Sequence, residues 1–336
     1  MGALTRAVWL LVLVPFSALF AIAIVLRRIA YRLGVFRSHR PAAPVVVVGN
    51  ITVGGTGKTP LVIWLARELQ RCGLKVGVAT HGYAARAERA VLPVAANTPV
   101  ALAGDEALLI AQSGDFVVAA AADRGAACQA LIEQGAQIIV CDDGLQHYAL
   151  QRDCEIAMID ERRGMGNGWL LPAGPLREPP GRLSRCDAVV INTAPVIADG
   201  TDRAAYRGTV IRMRLQPRDA RQLVGAEVRK LADFAPFGRV HAVAAIGNPE
   251  RFFAMLRELG LPVVEHAFSD HHAFVAADFE FADSLPVLMT GKDAVKCREF
   301  ADDRMWEVAV DVLFDSGDAE RLVALVRAVI PNEARH

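Results

Sequence analysis

At 336 residues the chain is long enough to bury two separate cores. Its 37 basic and 37 acidic side chains cancel to a formal net charge of zero, which removes any global attraction to nucleic acid. Six scattered cysteines without a C-x-x-C pair argue against a zinc or disulfide framework and for reduced thiols in a cytosolic setting.

Residues 7–26 carry no charge and are bounded by Arg6 on one side and by Arg27 and Arg28 on the other. A run of that length can cross about 30 Å of hydrocarbon as a helix. A cleaved signal peptide is the poorer reading, because its apolar part is usually only ~7–15 residues and ends in a small-residue cleavage site, not in arginines. Arg27, Arg28, Arg32, Arg37 and Arg40 all follow the run, so the positive-inside tendency keeps the body of the protein in the cytoplasm. Pro15 and Ser17 leave open a kinked or half-inserted helix lying at the interface. Either arrangement attaches the chain to a membrane. The basic segment behind the run suits anionic head groups as well as it suits a plain topology signal.

Next comes a β-branched run, Val45, Val46, Val47 and Val48, that breaks into Gly49-Asn50-Ile51-Thr52-Val53-Gly54-Gly55-Thr56-Gly57-Lys58-Thr59. This order predicts a buried strand, a phosphate-binding loop over 52–59 and an amphipathic helix to Arg71. The glycines let successive backbone N–H groups face an anion, Lys58 can reach the β- and γ-phosphates, and the Thr59 hydroxyl can ligate Mg²⁺. Thr52 stands where the common G-x-x-x-x-G-K-[ST] spacing has its first glycine, so the form is closer to a G-G-x-G-K-T loop; Val53 replaces the second lysine that such loops often carry. The loop implies nucleotide phosphate binding without naming the nucleotide or the acceptor.

A second strand over 74–79 leads to His81, Gly82 and Tyr83, followed by a polar, irregular stretch. Asp105 and Glu106 then open a helix that runs to Gln112. Asp105 there is either a helix N-cap or a general base toward a substrate hydroxyl. A third strand, 116–122, ends at Asp123 and Arg124, and a helix follows to Gln134. The fourth strand, 137–141, delivers Asp142, Asp143, Gln146 and His147 at its C-terminal end. Acids at the end of an apolar strand are what a nucleotide site uses to hold Mg²⁺, and they are costly there otherwise. His147 fits a structural hydrogen bond as well as an active-site role. After a fifth strand, 155–160, a glycine- and proline-rich loop over 162–181 carries Asn167 and Arg177, the latter either a clamp for an anionic group or a surface arginine. A strand over 186–192 completes the alternation. The pattern is that of an α/β, P-loop NTPase-like fold with a mostly parallel sheet, its site at the C-terminal strand ends.

The expected organisation is a membrane anchor and basic flank over 1–40, a P-loop kinase core over 41–207, a connection over 208–239 with a short strand and a charged helix, and a second, smaller α/β domain over 240–336. In that last part a strand over 240–246 and a helix over 250–259 precede Asp270, His271 and His272. A histidine that assists a catalytic aspartate across the domain cleft explains this cluster better than a metal site, for which further ligands are not in view. Lys292, Asp293 and Lys296 fit either nucleotide contact or a surface helix cap.

Taken together, the phosphate loop, Gly104-Asp105-Glu106, Asp142-Asp143-Gly144-Leu145-Gln146-His147, Gly166 to Glu178, Asp270-His271-His272 and Lys292 to Lys296 resemble the tetraacyldisaccharide 4'-kinase (lipid A 4'-kinase) family. The resemblance implies ATP- and Mg²⁺-dependent phosphorylation of the 4'-hydroxyl of a tetraacylated glucosamine disaccharide 1-phosphate, at the cytoplasmic face of the inner membrane. It implies that residues 52–59 hold ATP, that Thr59, Asp142, Asp143 and Glu106 serve the metal, and that Asp105 with His271 or His272, beside Lys58, performs the chemistry. Tyr83, Arg124, Gln146, His147, Asn167 and Arg177 are then the candidate substrate contacts. Ala245 and Gly291 depart from residues that similar proteins tend to carry. The rival from another class is a membrane-tethered P-loop GTPase or ATPase switch acting through a protein partner, which would need a guanine-reading Asn/Thr-Lys-x-Asp segment; Thr290 to Asp293 lacks that spacing.

Overall fold

The computed structural model describes residues 3–81, 91–193, 208–225 and 227–331, with side chains from Val12 onward. The chain starts with α1 (Ala3–Arg32), a helix longer than its uncharged run. The alternation then begins with β1 (Val45–Asn50), α2 (Lys58–Arg71) and β2 (Val76–Thr80). Val45, Val46, Val47 and Val48 are all fully buried because the strand is covered on both faces. Successive side chains point oppositely, so Val46 and Val48 join the core layer that includes Leu61 and Leu65 of α2, while Val45 and Val47 join the layer that includes Leu131 and Leu145.

The stretch expected to be irregular after Tyr83 contains β3 (Leu92–Val94) and the single turn α3 (Val100–Ala103) ahead of α4 (Asp105–Gln112). Tyr83 itself lies outside the described residues. Then come β4 (Val117–Ala120), α5 (Arg124–Glu133), β5 (Ile138–Asp142), β6 (Cys154–Asp160) and β7 (Ala188–Asn192). Asp123 caps α5 by accepting hydrogen bonds from the Gly125 and Ala126 amides.

The expected charged helix between 208 and 239 is absent from the described residues. Its place is taken by β8 (Thr209–Gln222), paired with the short β9 (Val228–Lys230), and by a 3-10 turn over Leu231–Phe237. Pro217 is one reason, since it is costly inside a helix and tolerated beside a bulge. It lies opposite Val310 where the register of β8 against its partner shifts.

The remainder comprises β10 (Val240–Ala244), α6 (Pro249–Glu258), β11 (Val263–Ala267), β12 (Val287–Thr290), α7 (Gly291–Cys297), β13 (Met305–Phe314) and α8 (Asp318–Ala328). One sheet runs in the order β11-β10-β12-β13-β8-β7-β6-β1-β5-β2-β4-β3, with β9 beside β8. Its pairings are parallel except β13 with β8, β8 with β9 and β3 with β4. The first residues of β8 extend β7 in parallel, and from Met213 onward it pairs with β13, so one strand belongs to both halves of the molecule. The C-terminal ends of β1, β5, β6 and β7 open on one side, where a parallel sheet presents its site.

Gly49 of β1 leaves room for the chain that follows β5: a Cβ there would stand 2.8 Å from Leu145 Cγ. Gly49→Ala is therefore expected to cost about 1–3 kcal/mol through overpacking, read as a lower urea midpoint with an unchanged slope.

Candidate active site

The phosphate loop joins β1 to α2. Gly54 and Gly57 adopt φ of 95° and 90°, a region open to glycine at little cost. Residues Gly54, Gly55, Thr56, Gly57, Lys58 and Thr59 line a cleft of about 790 Å³. Thr52 and Val53 do not. They are pinned to the 162–181 loop, the Val53 amide donating to the Pro175 carbonyl at 2.8 Å and Thr52 bridging to Leu176. The Val53 N–H is thus already committed, and the loop residues that line the cleft begin at Gly54.

Lys58 Nζ lies 3.1 Å from Asn50 Oδ1 and 3.5 Å from Asp143 Oδ1. Asp143 has φ of 49°, a strained value for a residue with a side chain, and it accepts hydrogen bonds from Arg177 Nη1. Burial opposes its ionisation, but Lys58 and then Arg177 outweigh that and hold its carboxyl below the usual carboxylate range. Asp142 is different. It is 2% exposed, its Oδ1 has no hydrogen-bond partner among the described residues, and burial followed by the nearby Glu106 pushes its carboxyl up to about 7. A buried carboxylate oxygen without a donor, facing a second acid, is what an incoming cation would satisfy. Among the described residues no three His, Cys, Asp or Glu side chains form a ready-made cage. Mg²⁺ does not need one, since it takes one or two carboxylates and fills its octahedron with phosphate and water. The residues present therefore fit that ion.

Across the cleft, α4 brings Asp105 and Glu106 to the second half of the molecule. Gly104 occupies the N-cap position, so Asp105 is not the cap. Its Oδ2 is 3.1 Å from His271 Nδ1 and 4.0 Å from Lys296 Nζ, and its Oδ1 accepts the Glu106 amide. His271 has φ of 59° at the tip of its turn, a second strained residue in the site. His272 goes elsewhere: its Nε2 meets Asp278 Oδ2 at 3.0 Å and its ring stacks on Phe268. Of the two histidines expected to share one role, the structure brings only His271 to Asp105. Glu106 pairs with Lys292, and although burial works against the ammonium, that carboxylate holds Lys292 above its ordinary value. Lys296 pairs with the fully buried Asp293 at 2.8 Å.

The candidate substrate residues separate. Arg177 lines the cleft. Gln146 donates to the Asn50 carbonyl and to Glu178. Arg124 is 3% exposed, and its guanidinium donates to the Ala121 and Asp142 carbonyls, bracing two strand ends. Asn167 folds its own loop, donating to the Ala173 carbonyl while accepting the Trp169 amide. His147 is partly buried, and burial followed by the Arg124 charge pushes its imidazole down to about 4.

Several site residues escaped the sequence reading. Asn192 Nδ2 donates to the Thr56 carbonyl at 2.9 Å, and Arg251 of α6 binds both Asn192 Oδ1 and Asp160 Oδ2. Asn50, Asp160 and Asn192 each end an apolar strand, the same signal that singled out Asp142. Gly247 is also part of the site, because a Cβ there would lie 2.8 Å from the Gly55 amide nitrogen.

A family model described as tetraacyldisaccharide-1-P 4'-kinase matches residues 9–330. The chain belongs to this family. Among its similar relatives are a tetraacyldisaccharide 4'-kinase of Xanthomonas axonopodis pv. citri, 50% identical over 294 residues that cover 87% of this chain and 85% of the relative. Another is that of Aromatoleum aromaticum, 47% identical over 323 residues that cover 95% of this chain and 94% of the relative. A crystal structure of the "apo" form of LpxK from Aquifex aeolicus in complex with ATP superposes with a TM-score of 0.79 at 28% identity, covering 95% of this chain and 98% of that one. The family match reaches every element described around the cleft, from the phosphate loop to Lys296.

The lowered His147 gives a pH test. An imidazole kept neutral in the fold but ordinary when unfolded contributes stability above about 6.5 that is lost as pH falls toward 4. Wild type is expected to lose urea resistance over that window, and His147→Gln to show a flatter profile; identical profiles would contradict the assignment.

Proposed function

We propose that this chain transfers the γ-phosphate of ATP to the 4'-hydroxyl of a tetraacylated glucosamine disaccharide 1-phosphate, working at the cytoplasmic face of the inner membrane. The observation that carries the reading is the 3.1 Å contact of Asp105 with His271 at the cleft that the phosphate loop lines, in a chain of the 4'-kinase family.

On this reading residues 41–207 form the nucleotide-holding lobe, 240–336 form the lobe that supplies His271, and 208–239 connect them. The amides of Gly54 to Thr59 and the Lys58 ammonium hold the β- and γ-phosphates. Asp105 accepts the proton of the sugar hydroxyl as that oxygen bonds to the γ-phosphorus and the bond from phosphorus to the β,γ-bridging oxygen breaks, releasing ADP. His271, hydrogen-bonded to Asp105, orients the carboxylate and shares the proton. Thr59, Asp142, Asp143 and Glu106 are the residues that would hold Mg²⁺, which when bound neutralises charge on the transferring phosphoryl group. Arg177 is the acceptor-side cation, and Gln146 shapes the adjoining wall. The pairing of Glu106 with Lys292 draws the lobes together over the cleft, which excludes competing water. The apolar α1 brings this cleft to a lipid acceptor.

A guanine-dependent switch finds no support in the same geometry. Asp293, the acid that would have to read the base, is fully buried and accepts hydrogen bonds from the Ala245 amide and the Thr290 hydroxyl.

Transfer of labelled γ-phosphate to a tetraacylated disaccharide 1-phosphate in mixed micelles tests the proposal. Asp105→Asn is expected to lower turnover by about 10²–10⁴ and Lys58→Ala to lower it comparably, whereas His272→Ala stays near wild type in turnover and loses stability instead. Label released to water alone, or a preference for GTP, would sink the kinase reading.

A further inference from the structure

Asn192 ends β7 beside the phosphate loop, fully buried, and its side chain is held from two sides. Its Nδ2 donates to the Thr56 carbonyl at 2.9 Å, and its Oδ1 accepts from Arg251 Nη2 at 2.6 Å. The two contacts are not independent. A guanidinium can only donate, so the amide atom that faces Arg251 has to be the oxygen, and the amide nitrogen is thereby turned toward Thr56. Arg251 is fixed in turn by the buried Asp160, whose Oδ2 accepts from its Nη1 at 2.7 Å. One fork thus grips acceptors at the ends of two neighbouring strands, β6 and β7.

The Thr56 carbonyl bears on phosphate binding through the geometry of the peptide unit. In a trans peptide the C=O and the following N–H point in opposite directions, so a carbonyl drawn toward Asn192 turns the Gly57 N–H away from it. Gly57 lines the cleft, and among the described residues its amide has no acceptor. That is the state of an amide kept for an anion. Glycine tolerates either sign of φ, so without the pin this peptide could turn over at little cost. The close fit itself requires glycine, because a Cβ at Gly57 would stand 2.5 Å from Asn192 Nδ2. Thr56 is buried as well, which leaves water little access in place of the Asn192 amide.

We propose that Arg251 is a positioning residue for the phosphate loop: from α6, in the other half of the molecule, it sets the Asn192 amide, and through it the Thr56–Gly57 peptide that presents an N–H to the nucleotide phosphates. It acts through Asn192, not on the reacting atoms. The same half also approaches the loop at Gly247, where a Cβ would lie 2.8 Å from the Gly55 amide nitrogen. Both halves therefore complete the phosphate loop, and ATP affinity depends on Arg251 as well as on the loop's own residues. The inference rests on nucleotide binding by this loop and adds which distant side chain tunes it.

If Arg251 served only as an ion pair for Asp160, lysine would replace it, since lysine keeps the charge and lacks only the fork. In a relay, Arg251→Lys keeps a urea midpoint near that of wild type but raises the Kd of the methylanthraniloyl derivative of ATP by about tenfold, measured without lipid acceptor. In turnover the same variant raises KM for ATP more than it lowers kcat. Asn192→Asp keeps the shape and the contact with Arg251 but sets an oxygen against the Thr56 carbonyl, and it should weaken binding at least as much. Arg251→Lys combined with Asn192→Ala should bind no more weakly than Asn192→Ala alone. A wild-type Kd in Arg251→Lys, with or without a lower urea midpoint, would overturn the relay, as would losses that add in the double variant. Failure of the wild-type chain to bind the derivative would instead overturn the nucleotide reading beneath it.

Discussion

The contacts that join the two halves across the cleft rest on one feature of the backbone: β8 is hydrogen-bonded to β7 at its start and to β13 along the rest of its length. Two halves tied by a loose linker would meet their partners only in some fraction of the ensemble. A shared strand fixes their register instead, so the Asp105 contact with His271, the Glu106 pair with Lys292, the approach of Gly247 to Gly55 and the grip of Arg251 on Asp160 are all set by one ladder. The bulge opposite Pro217 adds local twist to that ladder, the usual way a sheet turns one part of itself over another.

Within this frame the electrostatics are divided. Asp143, held by Lys58 and Arg177, is paired and charged, whereas its neighbour Asp142 is buried without a donor on Oδ1. Two adjacent acids with opposite tendencies are a common arrangement where one group must stay ionised and the other awaits a positive partner. The backbone shares the strain, because among the described residues the two non-glycine residues with positive φ, Asp143 and His271, both line the cleft.

The first half of the chain was the more legible part. Strands covered on both faces read as apolar runs, and their C-terminal polar residues marked the site, which is why Asp142 and the phosphate loop were found. Asn50, Asp160 and Asn192 stand at the same kind of strand end, but an asparagine or a lone acid after a strand is also an ordinary turn residue, so the signal is ambiguous there. The region 208–239 failed for a different reason: β8 is half exposed and rich in arginine, so its alternation is masked, and only pairing with β13 makes it a strand. The choice of His271 over His272 was not readable, since it depends on a contact between residues more than 150 positions apart.

The rims of this long sheet carry a consequence of their own. A sheet that ended in long, flat strands would offer its unpaired amides to a neighbouring chain. Here one margin is β3, three residues with Pro93 at their centre, and the other is β11, five residues whose Glu265 is tied to Arg257 of α6. Short, proline-bearing or charged margins give an incoming strand little to extend, so the architecture protects its own solubility at the two places where a sheet is most adhesive.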